Sequence, residues 1–328
     1  MCTLCQDRED ELAEERALKQ HIILLSGGPG PFDNRDMEHD SSWANYVTPP
    51  LLLTGTAAGR KAFQNDKEDV WWFIYKPAYE TRWSGDAASS HASRKKEVKR
   101  VRDQGFTSYV EMLEQRAKDR KWELRWLTDG DQLWTKLKTF RKGSISRFLF
   151  WGHARRDLWL SVAHEAGTGI AIAPDAREII EVTDIDAALK DRFVKANKAR
   201  RHRFIGCNTD KFAEAWATTY DQWTEGVKDK VNFVSISATG GEPCLSAIAR
   251  TIIRKPGGSE DPAESSVLAA CSSISMEQDE LAFPTFIPEE LPHEASGRYA
   301  AERLTEAERL VEVAELLAHG ASGSLRRG

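Results

Sequence analysis

Three short apolar runs that each stop at glycine or a glycine-rich turn constrain this chain more than any other feature. His21-Ile-Ile-Leu-Leu leads into Ser-Gly-Gly-Pro-Gly-Pro, Arg147-Phe-Leu-Phe-Trp into Gly152, and Arg203-Phe-Ile into Gly206. Short apolar runs closed by turn residues fit strands buried on both faces, which occur in parallel sheets covered by helices. Val70-Trp-Trp-Phe-Ile-Tyr adds a β-prone run. The order strand Glu123–Leu127, helix Asp131–Phe140 capped near Asp129, strand Arg147–Trp151 has short connections, so its strands are expected to be parallel. The fold class read from this pattern is α/β, a three-layer αβα sandwich with a mostly parallel sheet.

The remaining segments elaborate that plan. Residues 1–20 are a charged lead-in, with a solvated helix over 7–19. Trp43–Leu53 reads as a helix broken at Pro49-Pro50, residues 84–93 as an exposed connection, and 94–121 as one or two helices packing through Val98, Val101, Tyr109, Met112 and Leu113. Downstream, Asp184–Arg200 reads as a basic helix, Lys211–Trp223 as a helix and Val231–Ser237 as a strand. Residues 255–266 and 284–298 carry loop composition, and Leu304–Leu317 has the spacing of an amphipathic helix. A catalytic domain over 21–240 and a C-terminal extension over 241–328, packing on it, are expected.

Composition excludes some function classes. The longest apolar runs fall far short of the roughly 20 residues that span a bilayer. The N-terminus turns acidic where a secretory peptide would be apolar, and five irregularly spaced cysteines make no disulfide framework. A cytoplasmic protein with no membrane partner is therefore expected. The formal charge of -5 argues against a dedicated polyanion binder, although the basic stretches 94–102 and 192–203 leave nucleic-acid binding as an alternative. No metal or cofactor is expected. Cys2-x-x-Cys5 is half of a zinc spacing without its second half, and His153, Asp157, His164 and His202 show no ligand spacing. Ser26-Gly-Gly-Pro-Gly-Pro and the Gly-rich Thr54–Lys61 match neither nucleotide fingerprint.

Chemistry concentrates at two strand ends. One presents His153 after Gly152; the other presents Cys207 after Gly206, with a helix following. Reacting groups in parallel α/β sheets gather at the carboxyl ends of neighbouring strands. A thiol needs a base or a positive environment to act as a nucleophile, and an imidazole or a helix N-terminus supplies one. The pair therefore points to acyl transfer. The bland alternative is a core cysteine and a hydrogen-bonded strand-end histidine.

The strand ending at His153, the string Ile205-Gly-Cys-Asn-Thr209 and the separation of 54 residues resemble the caspase-like cysteine proteases, which include metacaspases, gingipains, separases and bacterial CHAT domains. The resemblance implies a caspase-like fold over residues 20–240 with helical insertions between its first two strands. It implies His153 as general acid/base and Cys207 as nucleophile, with Gly152, Ala154, Gly206 and Asn208 shaping the oxyanion site and its turns. Asp33, Arg35 and Asp36 lie where the family often places a specificity charge. Ala154 stands where the family has glycine, and no aspartate precedes Cys207. The implied partner is a protein or peptide substrate; a catalytically inactive scaffold of the same fold is the other reading.

Overall fold

The computed structural model describes residues 19–29, 43–54, 63–155, 158–160, 179–231 and 248–262, all within the unit Met1–Thr285. Its described strands are β1 (Gln20–Ser26), β2 (Glu68–Tyr75), β3 (Glu123–Leu127), β4 (Ile145–Trp151), β5 (Ala154–Arg155), β6 (Leu158–Leu160), β7 (Ile179–Glu181), β8 (His202–Ile205), β9 (Thr224–Val231) and β10 (Ile248–Arg254). Seven of these form one sheet in the order β10-β9-β8-β4-β1-β2-β3, parallel except for the antiparallel pair β9 and β10. The strands β3 and β4 are parallel, as expected, with β1 and β2 between them. Strands β5, β6 and β7 make a small antiparallel sheet immediately after β4.

Alternation along the central strands builds two cores. Ile22, Leu24, Trp72, Ile74, Leu149, Trp151 and Ile205 face one side, and Ile23, Leu25, Phe73, Phe148, Phe150 and Phe204 face the other. Helices α1 (Thr48–Leu53), α2 (Lys76–Ala88), α3 (Ala92–Asp103) and α4 (Tyr109–Asp119) contribute to the first core; α5 (Asp131–Lys138) and α6 (Asp210–Tyr220) contribute to the second. This is an α/β sandwich around a mostly parallel mixed sheet. In α4, Tyr109, Met112, Leu113 and Ala117 make the buried stripe, while the Ser108 hydroxyl accepts the Glu111 N–H at 3.0 Å as its N-cap. In α6, fully buried Trp216 lies 4.8 Å from Phe148, 5.2 Å from Phe204 and 4.7 Å from Tyr220 between ring centroids. Burying such a side chain stabilises the fold by about 2–3 kcal/mol.

Three segments differ from the sequence expectations, each for a physical reason. The Pro49-Pro50 pair starts helix α1 instead of breaking one, because a missing N–H costs nothing in a first turn. Residues 84–88 complete α2, leaving only 89–91 to connect it to α3. Asp86, read as loop-forming, is a buried acceptor for Arg82 at 3.0 and 2.9 Å, for Tyr109 at 2.7 Å, and for Arg94. The basic helix over 184–200 is replaced by 3₁₀ turns at Val182–Asp184, Ala187–Arg192 and Lys198–Arg200. There the backbone of 191–194 bonds instead to Gly143, Ser144 and Ile145, and Leu189 and Phe193 enter the core.

The described strand β9 runs from Thr224 to Val231, so it starts seven residues ahead of the strand expected at Val231–Ser237, whose residues 232–237 lie outside the described set. Its polar composition hid it. Glu225 is buried because Arg201 and Arg203 both donate to it, at 2.8 and 3.0 Å, and these guanidiniums hold its carboxyl below the usual range against the effect of burial. Gly226 lets the start of α6 approach, since a Cβ there would sit 2.7 Å from the Thr209 carbonyl oxygen. β10 carries the sheet beyond residue 240, to Arg254. The lead-in over 7–18, the irregular stretch 284–298 and the Leu304–Leu317 helix also lie outside the described residues. Among the described residues, no helix is long and apolar enough to cross a membrane.

Glu97 of α3 is buried beside Arg100, with Nη1 to Oε1 3.9 Å. Burial pushes its carboxyl from the usual 4.5 up to about 7, against the pull of Arg100 and Arg82. A raised folded-state value contributes stability that is complete below the unfolded value and disappears as pH rises through about 7. Glu97→Gln should therefore gain on the parent chain by on the order of 2–3 kcal/mol between pH 5 and pH 8. Urea denaturation of both proteins at the two pH values measures this; a constant difference contradicts it.

Candidate active site

The ends of β1, β4 and β8 abut through glycine. β4 and β8 are adjacent and parallel, with Leu149 opposite Arg203, Phe150 opposite Phe204 and Trp151 opposite Ile205. One step on, the Gly152 N–H donates to the Ile205 carbonyl at 3.2 Å, and the Gly27 N–H donates to the Trp151 carbonyl at 2.7 Å. A Cβ on Gly206 would lie 2.6 Å from the Gly152 carbonyl oxygen and 3.0 Å from the Ala154 Cβ; one on Gly152 would lie 3.1 Å from the Gly27 Cα. Only glycine fits these crossings without a shift. Two residues beyond the last paired positions, His153 and Cys207 occupy corresponding places at the carboxyl ends of neighbouring strands.

Cys207 is half-buried and is the one free cysteine among the described residues. Its Sγ accepts the Val231 N–H at 3.3 Å from the end of β9. Asn208 follows with φ +57°, a left-handed conformation that asparagine tolerates better than most residues. Buried Thr209 then fixes the turn: its hydroxyl donates toward the Phe204 and Gly206 carbonyls, at 2.5 and 3.2 Å, and accepts the Val227 N–H at 3.0 Å. Helix α6 begins at Asp210, so its N-terminal end, with its partial positive charge, follows the thiol closely.

His153 is buried, and its Nε2 is hydrogen-bonded to the hydroxyl of Tyr46. The two rings meet edge-on, with centroids 4.9 Å apart and an interplanar angle of 64°. Tyr46 belongs to the turn 43–47 ahead of α1, and nothing in the sequence spacing connects residue 46 to residue 153. Ala154 opens β5 opposite Trp159. Because the Gly152 N–H is engaged by Ile205, Gly152 serves the close crossing of strands and is not a free oxyanion donor. Asp33, Arg35 and Asp36 lie outside the described residues.

Other candidate chemistry fits the described structure less well. Among the described residues no group of histidine, cysteine and carboxylate side chains could hold a metal ion. His202, at the start of β8, is five residues from the register position of His153, roughly 16 Å along the strand. Burial, assisted by Arg147, pushes it down to about 3, so it is neutral. Asp157, His164, Cys2 and Cys5 lie outside the described residues. The basic stretches are largely neutralised internally: Arg94 pairs with Asp86, Arg200 grips Glu68 with both contacts at 2.6 Å, and Arg201 and Arg203 share Glu225. Lys198 reaches Asp261 at 3.1 Å, and Arg102 lies over the Trp83 ring at 5.7 Å.

The arrangement offers a partly accessible thiol at the start of a helix and an imidazole on the adjacent strand, already oriented by a phenol. Comparison with known proteins finds no matching family model, no matching curated protein and no matching solved structure.

Proposed function

We propose that this chain is a cysteine peptidase with a caspase-like catalytic domain, using His153 and Cys207 on a protein or peptide substrate. The observation that carries the reading is the placement of His153 and Cys207 at matching positions beyond the in-register ends of β4 and β8. The half-buried state of Cys207 and the short antiparallel sheet that follows His153 are compatible with it.

In the proposed cycle, His153 takes the Cys207 proton and the thiolate adds to the substrate carbonyl carbon, placing negative charge on its oxygen. Backbone N–H groups around Ala154 and Cys207 receive that oxyanion. The intermediate collapses as the C–N bond breaks; His153 returns its proton to the amine, leaving a thioester on Cys207. Water, deprotonated by His153, then attacks the thioester, the C–S bond breaks, and the carboxylic acid and the thiol are regenerated.

The hydrogen bond from the Val231 N–H to the thiol favours one further reading, a scaffold of the same architecture in which Cys207 is structural. Cleavage of a diverse fluorogenic peptide library by the parent chain, Cys207→Ala and His153→Ala separates the two. Hydrolysis confined to the parent chain supports the peptidase; equal hydrolysis by all three overturns it.

A further inference from the structure

We propose that Tyr46 is the positioning residue of this site, its hydroxyl hydrogen-bonded to Nε2 of His153 and so fixing the imidazole that serves Cys207. The inference rests on the peptidase reading for the reaction served, while the hydrogen bond itself is independent of it. A neutral imidazole carries one proton, and a buried hydroxyl bonded to Nε2 either accepts from Nε2–H or donates to the bare nitrogen, so its loss releases both the ring and its choice of tautomer. A phenol oxygen can also accept Nε2–H from the imidazolium, so His153 can keep its bond to Tyr46 when it is protonated.

The surroundings of Tyr46 are built to hold it. Tyr46 is fully buried, and its turn is closed by the Val47 and Thr48 N–H groups donating to the Ala44 carbonyl at 3.0 and 2.8 Å. At the other end of the turn, Trp43 stacks on Tyr109, with centroids 4.0 Å apart and planes 14° from parallel; the Tyr109 hydroxyl donates to Asp86. Trp43 also meets Tyr79 edge-on at 6.3 Å, and the Tyr79 hydroxyl donates to the Gly27 carbonyl at 2.9 Å. The helices α2 and α4 are thereby tied to the turn that carries Tyr46, and α2 also to the end of β1 beside Gly152. This gives the helical layer a function in the site beyond covering the sheet.

Tyr46→Phe keeps the ring and removes only the oxygen. Nitrogen-15 NMR of histidine-labelled protein, with the His153 signals assigned by their loss in His153→Ala, reads the tautomer directly. The parent chain should show a single tautomer of His153, and Tyr46→Phe a mixture, with alkylation of Cys207 by iodoacetamide slowed roughly tenfold, the scale of one hydrogen bond. Unchanged tautomer populations in Tyr46→Phe, or an unchanged alkylation rate, overturn the proposal. Peptide cleavage is not needed for either readout. If the tautomer and the labelling rate respond while Cys207→Ala hydrolyses peptides like the parent chain, the peptidase reading fails and the role of Tyr46 stands.

Discussion

Cys207→Ala is expected to reduce peptide hydrolysis by at least about a thousandfold, because it removes the atom on which the proposed acyl-enzyme forms. His153→Ala should cost a similar factor, and the double variant little more than either single one, since groups that act as one unit are strongly non-additive. The fold should tolerate the cysteine change. Cys207 is half-buried and its described hydrogen bond is one weak contact from the Val231 N–H, so urea denaturation should register a loss of about 1 kcal/mol or less. Activity lost with stability retained points to chemistry at Cys207. Stability lost in step with activity points to the scaffold reading, in which the thiol matters as a residue packed against the first core.

The largest effect on stability is expected from Asp86→Ala. The Asp86 side chain is fully buried, and the equally buried Arg82 donates to both of its oxygens, with Arg94 and Tyr109 completing the set. Removing the carboxylate leaves a guanidinium in the interior without its counter-charge, which typically costs about 3–5 kcal/mol. That is a large share of the 5–15 kcal/mol on which an ordinary domain depends. Urea denaturation near pH 7 measures the loss; a change below about 1 kcal/mol contradicts the structural role assigned to the cluster. The same substitution removes the acceptor of Tyr109, on which Trp43 stacks, so it should also slow alkylation of Cys207 in the fraction that remains folded.

The parallel sheet was legible wherever burial left its mark on composition. His21–Leu25, Val70–Tyr75 and Phe148–Trp151 are apolar on both faces because helices cover both faces, and all three are central strands. His153 and Cys207 were legible because each follows a glycine that ends such a run. The segments that were misread share a different cause. Asp86 in α2 and Glu225 in β9 look like surface residues until the arginines that bury them are seen, and of those partners only Arg82 lies in the same element. Within 182–200, the backbone of 191–194 is held by bonds to Gly143–Ile145, which no local periodicity encodes. Tyr46 was invisible for the same reason: its partner is 107 residues away, and only the packing of the helical layer brings the two together.

The pairing of His153 with Cys207 is the central claim, and it can be measured without knowing the substrate. Peptide mass spectrometry after timed exposure to iodoacetamide near pH 7 gives the alkylation rate of Cys207 separately from the other four cysteines. If the imidazole activates the thiol, His153→Ala slows labelling at Cys207 by tenfold or more and leaves the other cysteines unaffected. Equal Cys207 rates in the two proteins would contradict the account.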